Sequence, residues 1–120
     1  FIESRIQFYK QKKRINYENM CVILPNNKEL SRLQKSLGKY GVKLITANRV
    51  KGLTFDIVFI CNLENYFRDG NLDDMLYVSN QKRLVYTSMG RARKNLYLLH
   101  QNKLSSFFEP LKDHVDYFQM

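Results

Sequence analysis

Three short apolar runs constrain the fold of this chain most strongly. They read MCVIL (Met20–Leu24), VKLIT (Val42–Thr46) and FDIVFIC (Phe55–Cys61). Each run has the length of a β-strand, and FDIVFIC is apolar almost throughout, which is typical of a strand covered on both faces of a parallel sheet. A fourth run, LYLLH (Leu96–His100), predicts a fourth strand.

Helical patterns alternate with these strands. Residues 1–14 suit an amphipathic helix, and in residues 26–41 four apolar side chains fall on one helical face, with Asn26 and Glu29 as a capping box and Gly41 as a stop. Residues 71–89 are mostly helical, and residues 104–118 predict a short helix and a tail. Alternating strands and helices indicate an α/β fold with a mainly parallel sheet of about four or five strands, in one domain over residues 1–120.

The charge points to a polyanionic partner. The chain of 120 residues has a net charge of +9, concentrated in Lys10–Arg14, Lys35–Lys51 and Lys82–Lys94. On charge alone, a generic basic surface is an equally good account. We expect Cys21 and Cys61 to be buried, reduced thiols, no zinc site, no membrane partner and a cytoplasmic location. The chain begins at Phe1, which suggests a fragment of a longer protein.

The loop TANRVKGLTFD, Thr46–Asp56, offers a hydroxyl, an amide, two cations and a glycine. Gly52 would let the backbone approach a ligand, and Lys51 could meet a phosphate. A plain loop with solvated cations is the alternative. We expect this loop at the carboxyl edge of the sheet, where parallel α/β domains place functional groups.

The stretch RLVYTSMGRARKNLYLL, Arg83–Leu99, joins a helix to a strand through Gly90 and Arg91. We expect this loop at the carboxyl edge as well. Arg91 could reach a phosphate across a cleft, or it could simply complement the dipole at the end of its helix. Arg93 and Lys94 are expected to face solvent or to position the backbone.

Complete catalytic machinery is missing from the sequence. No pair of glycines has the G-x-x-x-x-G-K-[ST] spacing of a phosphate-binding P-loop. Asn62 follows the apolar strand FDIVFIC, where a magnesium-binding Asp would be expected. No Ser-His-Asp or Cys-His arrangement is evident.

Taken together, the two loops resemble motifs V and VI of the UvrD/Rep-like superfamily 1 DNA helicases. TANRVKGLTFDIVFI is similar to the family's T-x-H-x-x-K-G-L-E-F-D-x-V, and RLVYTSMGRARKNLYLL to R-L-x-Y-V-A-x-T-R-A and its following strand. CVILPNNKELSRLQKSL is a weaker match to the motif IV region. The resemblance implies the second RecA-like domain, the C-terminal motor half, of such a helicase.

The resemblance also implies roles for individual residues. Arg91 occupies the position of the arginine finger, which reaches the γ-phosphate of ATP held with Mg²⁺ by an N-terminal RecA-like domain. Other residues implied at the nucleotide are Gly52, Leu53 and Thr54. Those implied along single-stranded DNA are Thr46, Asn48 and Lys51. No residue is implied as a metal ligand.

Four positions depart from the family pattern: Thr54 replaces a Glu that contacts the nucleotide ribose, Asn48 replaces His, Pro25 replaces a motif IV Arg, and Gly90 replaces Thr. These departures keep two alternatives open beside the helicase motor. One is a non-catalytic basic module that binds nucleic acid, and the other is a domain that binds an acidic protein.

Overall fold

A computed structural model of the chain describes residues 2–62 and 75–99. The helices are α1 (Ile2–Gln11), α2 (Asn27–Leu37) and α3 (Met75–Met89), and the strands are β1 (Met20–Leu24), β2 (Lys43–Thr46), β3 (Phe55–Ile60) and β4 (Ala92–Leu98). Single 3₁₀ turns lie at Tyr17–Asn19, Gly38–Tyr40 and Ala47–Arg49. The predicted helix over residues 104–118 lies outside the described residues.

The strands form one parallel sheet in the order β2-β1-β3-β4. The chain therefore starts in the middle of the sheet, moves outward to β2, and returns past β1 to β3 and β4. Because crossovers between parallel strands are right-handed, this reversal places the connections on opposite faces. The α/β fold with a mainly parallel sheet is confirmed.

Two apolar cores lie on the two faces of the sheet. On one face α1 and α2 pack over β1 and β3, where Ile6, Leu37, Val22 and Phe59 are buried. On the other face Val85 of α3 packs with residues of β1, β2 and β3. Burial of β3 on both faces explains its nearly continuous apolar sequence.

The start of α2 follows the predicted signal, and the predicted stop, Gly41, ends the 3₁₀ turn Gly38–Tyr40 that follows α2. The Asn26 side chain accepts a hydrogen bond from the Glu29 backbone N–H at 3.0 Å and donates to the Glu29 carboxylate at 3.0 Å, which is a reciprocal cap. After α2 and its 3₁₀ turn, Gly41 has φ +85°, a left-handed conformation that suits glycine.

Strand β4 begins four residues before the predicted Leu96. Phe55 pairs with Ala92 and Ile57 with Asn95, so one residue of β3 lies opposite two residues of β4. In this β-bulge, Asp56 of β3 lies opposite both Arg93 and Lys94 of β4. The charged residues at the start of β4 hid the strand from a search for apolar runs, because β4 lies at the edge of the sheet that the described residues form and has exposed positions.

Both cysteines are free and buried, as predicted. Within residues 2–62 and 75–99, no helix is long and apolar enough to cross a membrane. The same residues contain no cluster of three His, Cys, Asp or Glu side chains that could hold a metal ion.

Candidate functional site

The two motif-bearing loops lie mainly at the amino edge of the sheet. Thr46 ends β2 and therefore lies at the carboxyl edge, but Thr54 directly precedes β3 and Arg91 directly precedes β4. In a parallel sheet the starts of neighbouring strands lie at the same edge. The expectation that both loops lie at the carboxyl edge is thus wrong for the Arg91 loop and for the end of the first loop.

The first loop crosses from one edge of the sheet to the other. Residues 47–54 connect the end of β2 to the start of β3, and their path runs over the face covered by α3. Ala47 and Val50 are buried in the same core as Val85 of α3. The loop is therefore fixed to the core at two points, while the polar residues beside them remain outside.

Thr46 and Asn48 form a small polar unit at the carboxyl end of β2. Thr46 is only 4% exposed, and its hydroxyl donates to the Asn48 side-chain carbonyl at 2.7 Å. This bond holds the amide of the exposed Asn48 with its Nδ2 donor group turned away from the hydroxyl. An amide N–H is a suitable donor to a phosphate oxygen.

Lys51 and Gly52 form an exposed turn before β3. The backbone N–H of Leu53 donates to the Val50 carbonyl at 3.1 Å, and Gly52 has φ +86°. A Cβ at Gly52 would meet no atom within 4 Å. The left-handed backbone conformation, and not a lack of space for a side chain, therefore explains why position 52 is a glycine.

Arg91 joins the end of α3 to the end of the first loop. Its Nε donates to the Thr87 carbonyl in the last turn of α3 at 3.1 Å, and its Nη1 makes a longer contact of 3.5 Å with the Leu53 carbonyl. The backbone N–H of Phe55 donates to the Arg91 carbonyl at 2.8 Å. The guanidinium thus bonds the last turn of α3, which agrees with the alternative that Arg91 complements the end of its helix. Its Nη2 has no hydrogen-bond partner among the described residues.

Arg93 makes a second link to the same loop. Its Nε donates to Asp56 at 3.0 Å and its Nη1 to the Thr54 hydroxyl at 3.4 Å. The bulge in β4 places Arg93 opposite Asp56, in keeping with the tendency of bulges to redirect side chains. Sequence reasoning missed this pair, although the acid in β3 and the cations after Gly90 were visible signals.

The residues predicted to contact the nucleotide therefore lie together, whereas those predicted to contact DNA lie at two different edges of the sheet. Leu53, Thr54 and Arg91 lie at one edge, beside the turn containing Lys51 and Gly52. Thr46 and Asn48 begin the loop at the opposite edge. One continuous loop connects the two groups.

The carboxyl ends of β1 and β3 meet where the direction of strand order reverses, the usual ligand position in such folds. Here a carboxylate of the chain itself occupies that position. Asn62, with φ +58°, donates from Nδ2 to the Glu29 carboxylate at 2.7 Å, and Asn26 contacts the same carboxylate at 3.0 Å. This arrangement leaves the two loops as the stronger candidate site.

Comparisons with known proteins show the family of this chain. Residues 1–103 match the family model of the UvrD-like helicase C-terminal domain. The chain is 35% identical over 74 residues to the ATP-dependent DNA helicase UvrD1 of Mycobacterium leprae, and 32% identical over 74 residues to the ATP-dependent DNA helicase PcrA of Staphylococcus aureus. Each match covers 58% of this chain, and the aligned part is about a tenth of the relative's length, 9% and 10% respectively.

A solved structure supports the fold. The C-terminal domain of a possible DNA helicase from Lactobacillus plantarum WCFS1 superimposes with a TM-score of 0.61 at 24% identity. The similarity covers 88% of this chain and 68% of that one. With the family match over most of its length, the chain belongs to the UvrD-like helicase C-terminal domain family.

Proposed function

We propose that this chain is the C-terminal motor domain of an ATP-dependent DNA helicase or translocase. Arg91 is its arginine finger, and ATP with Mg²⁺ lies between this domain and an N-terminal RecA-like domain that carries the P-loop. The observation that carries the proposal is the position of Arg91, which is fixed to both α3 and the motif V loop while Nη2 is available to an anion.

The residues of this chain fit a shared nucleotide site and do not fit a complete one. Arg91 supplies a guanidinium with a planar fork of donors that suits a phosphate, but the sequence has no P-loop, and the described residues offer no cluster of acids for Mg²⁺. Bound ATP supplies the phosphoryl group for transfer, and Arg91 would stabilise charge on it. By itself this chain is expected neither to hydrolyse ATP nor to unwind DNA.

The crossing loop suggests how nucleotide and DNA are coupled. In the proposal, Thr46, Asn48 and Lys51 contact single-stranded DNA, and Gly52, Leu53 and Thr54 lie beside the nucleotide. Since both groups belong to one loop that Ala47 and Val50 fix to the core, a movement of the domain at the nucleotide edge would carry the DNA contacts with it as one rigid body. Closure and opening of the cleft would then move the domain along the strand.

The test is DNA-stimulated ATP hydrolysis by the intact parent protein carrying Arg91→Ala. We expect kcat to fall by about 10³ to 10⁵, the usual effect of losing an arginine finger, while nucleotide binding persists. Lys94→Ala removes a neighbouring exposed cation and should leave kcat within about threefold, an expectation consistent with the small effects of most surface changes.

A second readout separates chemistry from folding, because Arg91 also bonds the end of α3. Arg91→Lys keeps the charge but loses the planar fork, so its kcat should remain low while thermal stability is largely retained. If Arg91→Ala hydrolyses ATP at the wild-type rate, the motor assignment fails for this chain.

The second candidate function is a non-catalytic basic module that binds nucleic acid. It is favoured by Thr54, whose hydroxyl is engaged by Arg93 and which replaces the family's Glu. In that case the parent would bind single strands with strong salt dependence and hydrolyse no ATP.

A further inference from the structure

A second cationic surface lies at the amino edge, on the face of the sheet covered by α1 and α2, whereas the loop that carries Asn48 runs over the face covered by α3. We call it the basic link, defined by the cations Lys10, Lys12, Lys13, Arg14, Lys39 and Lys43 with the rings of Tyr17 and Tyr40. Residues 12–19 lead into β1, and the 3₁₀ turn Gly38–Tyr40 leads into β2. These segments therefore lie at the amino edge, whereas Thr46 and Asn48 lie at the carboxyl end of β2.

Contacts between side chains hold this surface together. The Lys10 ammonium lies 5.6 Å from the centre of the Tyr17 ring and donates to the Asn16 side chain at 3.1 Å. The Tyr17 and Tyr40 rings are 5.5 Å apart, and the Lys39 ammonium lies 5.2 Å from the centre of the Tyr40 ring. Two lysines thus flank a pair of tyrosines.

Aromatic partners orient a lysine without neutralising it. A ring attracts the ammonium through its quadrupole, so the full positive charge remains available to a further ligand. Ordering the two lysines beforehand also lowers the entropy lost when a ligand binds. An ion pair would instead cancel the charge, and the nearest acid to Lys39, Glu3, is at the outer limit of contact at 4.0 Å.

The remaining cations of the basic link are exposed. Lys12, Lys13, Arg14 and Lys43 have no acidic side chain within 4.0 Å among the residues that the structure describes. The acids near this surface are Glu3, which accepts a hydrogen bond from Tyr40, and the exposed Glu18. Six cations against two acids leave a local excess of positive charge.

We propose that the basic link binds the phosphodiester backbone of nucleic acid, as a second contact separate from the motif V loop. Ordered lysines beside aromatic rings suit a repeating anion, and backbone contacts of this kind need no base sequence. The inference goes beyond the proposed function, because it requires neither ATP nor the N-terminal domain. A longer stretch of DNA would be held than Thr46, Asn48 and Lys51 reach.

The test measures binding of a fluorescein-labelled oligothymidine and of a labelled duplex to this chain by anisotropy over a series of salt concentrations. The variant Lys10→Gln/Lys39→Gln/Lys43→Gln should reduce the slope of log K against log salt by about 2 for the single strand, since each lost contact removes about 0.7. If the variant loses affinity mainly for the labelled duplex, double-stranded DNA is the ligand of the basic link.

The matched control removes three exposed cations of α2, in Lys28→Gln/Arg32→Gln/Lys35→Gln, and should reduce the slope by less than 1. The variant Lys10→Arg/Lys39→Arg/Lys43→Arg keeps the charges and should bind as wild type does. Equal losses from the two glutamine triples, or no loss from the first, would overturn the proposal. Neither result depends on ATP hydrolysis, so failure here is distinct from failure of the Arg91 test.

Discussion

At the residue scale, the two glycines of the candidate site, Gly52 and Gly90, differ in backbone conformation. Gly52 has φ +86° in open space, whereas Gly90 has no such conformation and a Cβ there would lie 3.6 Å from the nearest carbonyl oxygen, an ordinary contact. Gly52→Ala should therefore lower the free energy of unfolding by about 1 to 2 kcal/mol, the cost of a left-handed conformation for a residue with a Cβ. Urea denaturation of this chain measures the difference.

Gly90→Ala is the control for that prediction, and it should change the free energy of unfolding by less than about 0.5 kcal/mol. The family's Thr at this position is consistent with a side chain fitting there. Equal destabilisation by the two variants would contradict the assigned role of backbone conformation.

The sequence points to Arg91 and the loop residues as candidates, but it does not reveal their hydrogen-bond partners. Its resemblance to motif VI points to Arg91, and a cation at the C-terminal end of α3 is expected to interact favourably with the helix dipole. Its bond network could not be foreseen, because it depends on carbonyls of Thr87 and Leu53. Arg93 is predicted to face solvent or to position the backbone, and its side chain is indeed exposed, but its bond to Asp56 depends on a bulge that leaves no apolar signature.

At the scale of elements, α2 was the most predictable part of the fold. Its start rests on local chemistry, the Asn26–Glu29 cap, and the left-handed Gly41 ends the 3₁₀ turn that follows the helix. Strand β1 was equally clear, since Pro25 ends a fully buried apolar run. The start of β4 was missed because pairing with β3 stabilises an exposed, charged segment that no local pattern marks as a strand.

The cap of α2 gives a direct test of this local control. Asn26→Ala removes the acceptor for the Glu29 N–H and should lower the free energy of unfolding by about 1 kcal/mol. Asn27→Ala, one position later and exposed, removes no such cap and should be neutral or slightly stabilising because Ala is the better helix former. Denaturation midpoints decide between them, and similar losses at both positions would argue against the cap.

At the scale of the whole molecule, the order β2-β1-β3-β4 separates two kinds of surface. The usual ligand position at the carboxyl edge is filled by Glu29 with Asn26 and Asn62. Arg91 lies at the amino edge, together with the basic link. The two edges therefore carry opposite chemistry, a carboxylate held by two amides at the carboxyl edge and guanidinium and ammonium groups at the amino edge.

The sheet that creates these surfaces also makes the protein sensitive to alkali. Burial raises the pKa of the Cys21 thiol to about 12, with Lys43 opposing the shift, and burial, then Cys21 and Glu29, raise the pKa of Cys61. In an unfolded chain a thiol has a pKa of about 8.5. Between these values the native state binds more protons than the unfolded state, so stability must fall as pH rises.

We expect each thiol to contribute up to about 1.4 kcal/mol of lost stability per pH unit across that interval. Urea denaturation of this chain from about pH 8 to about pH 11 should therefore show a steeper decline for wild type than for Cys21→Ala/Cys61→Ala. Val22→Ala truncates a buried neighbour that does not titrate, so it should lower stability at every pH and keep the wild-type slope. Parallel curves for wild type and the cysteine variant would contradict the assignment, because the decline would then come from other groups, such as Tyr9, whose pKa is also raised by burial.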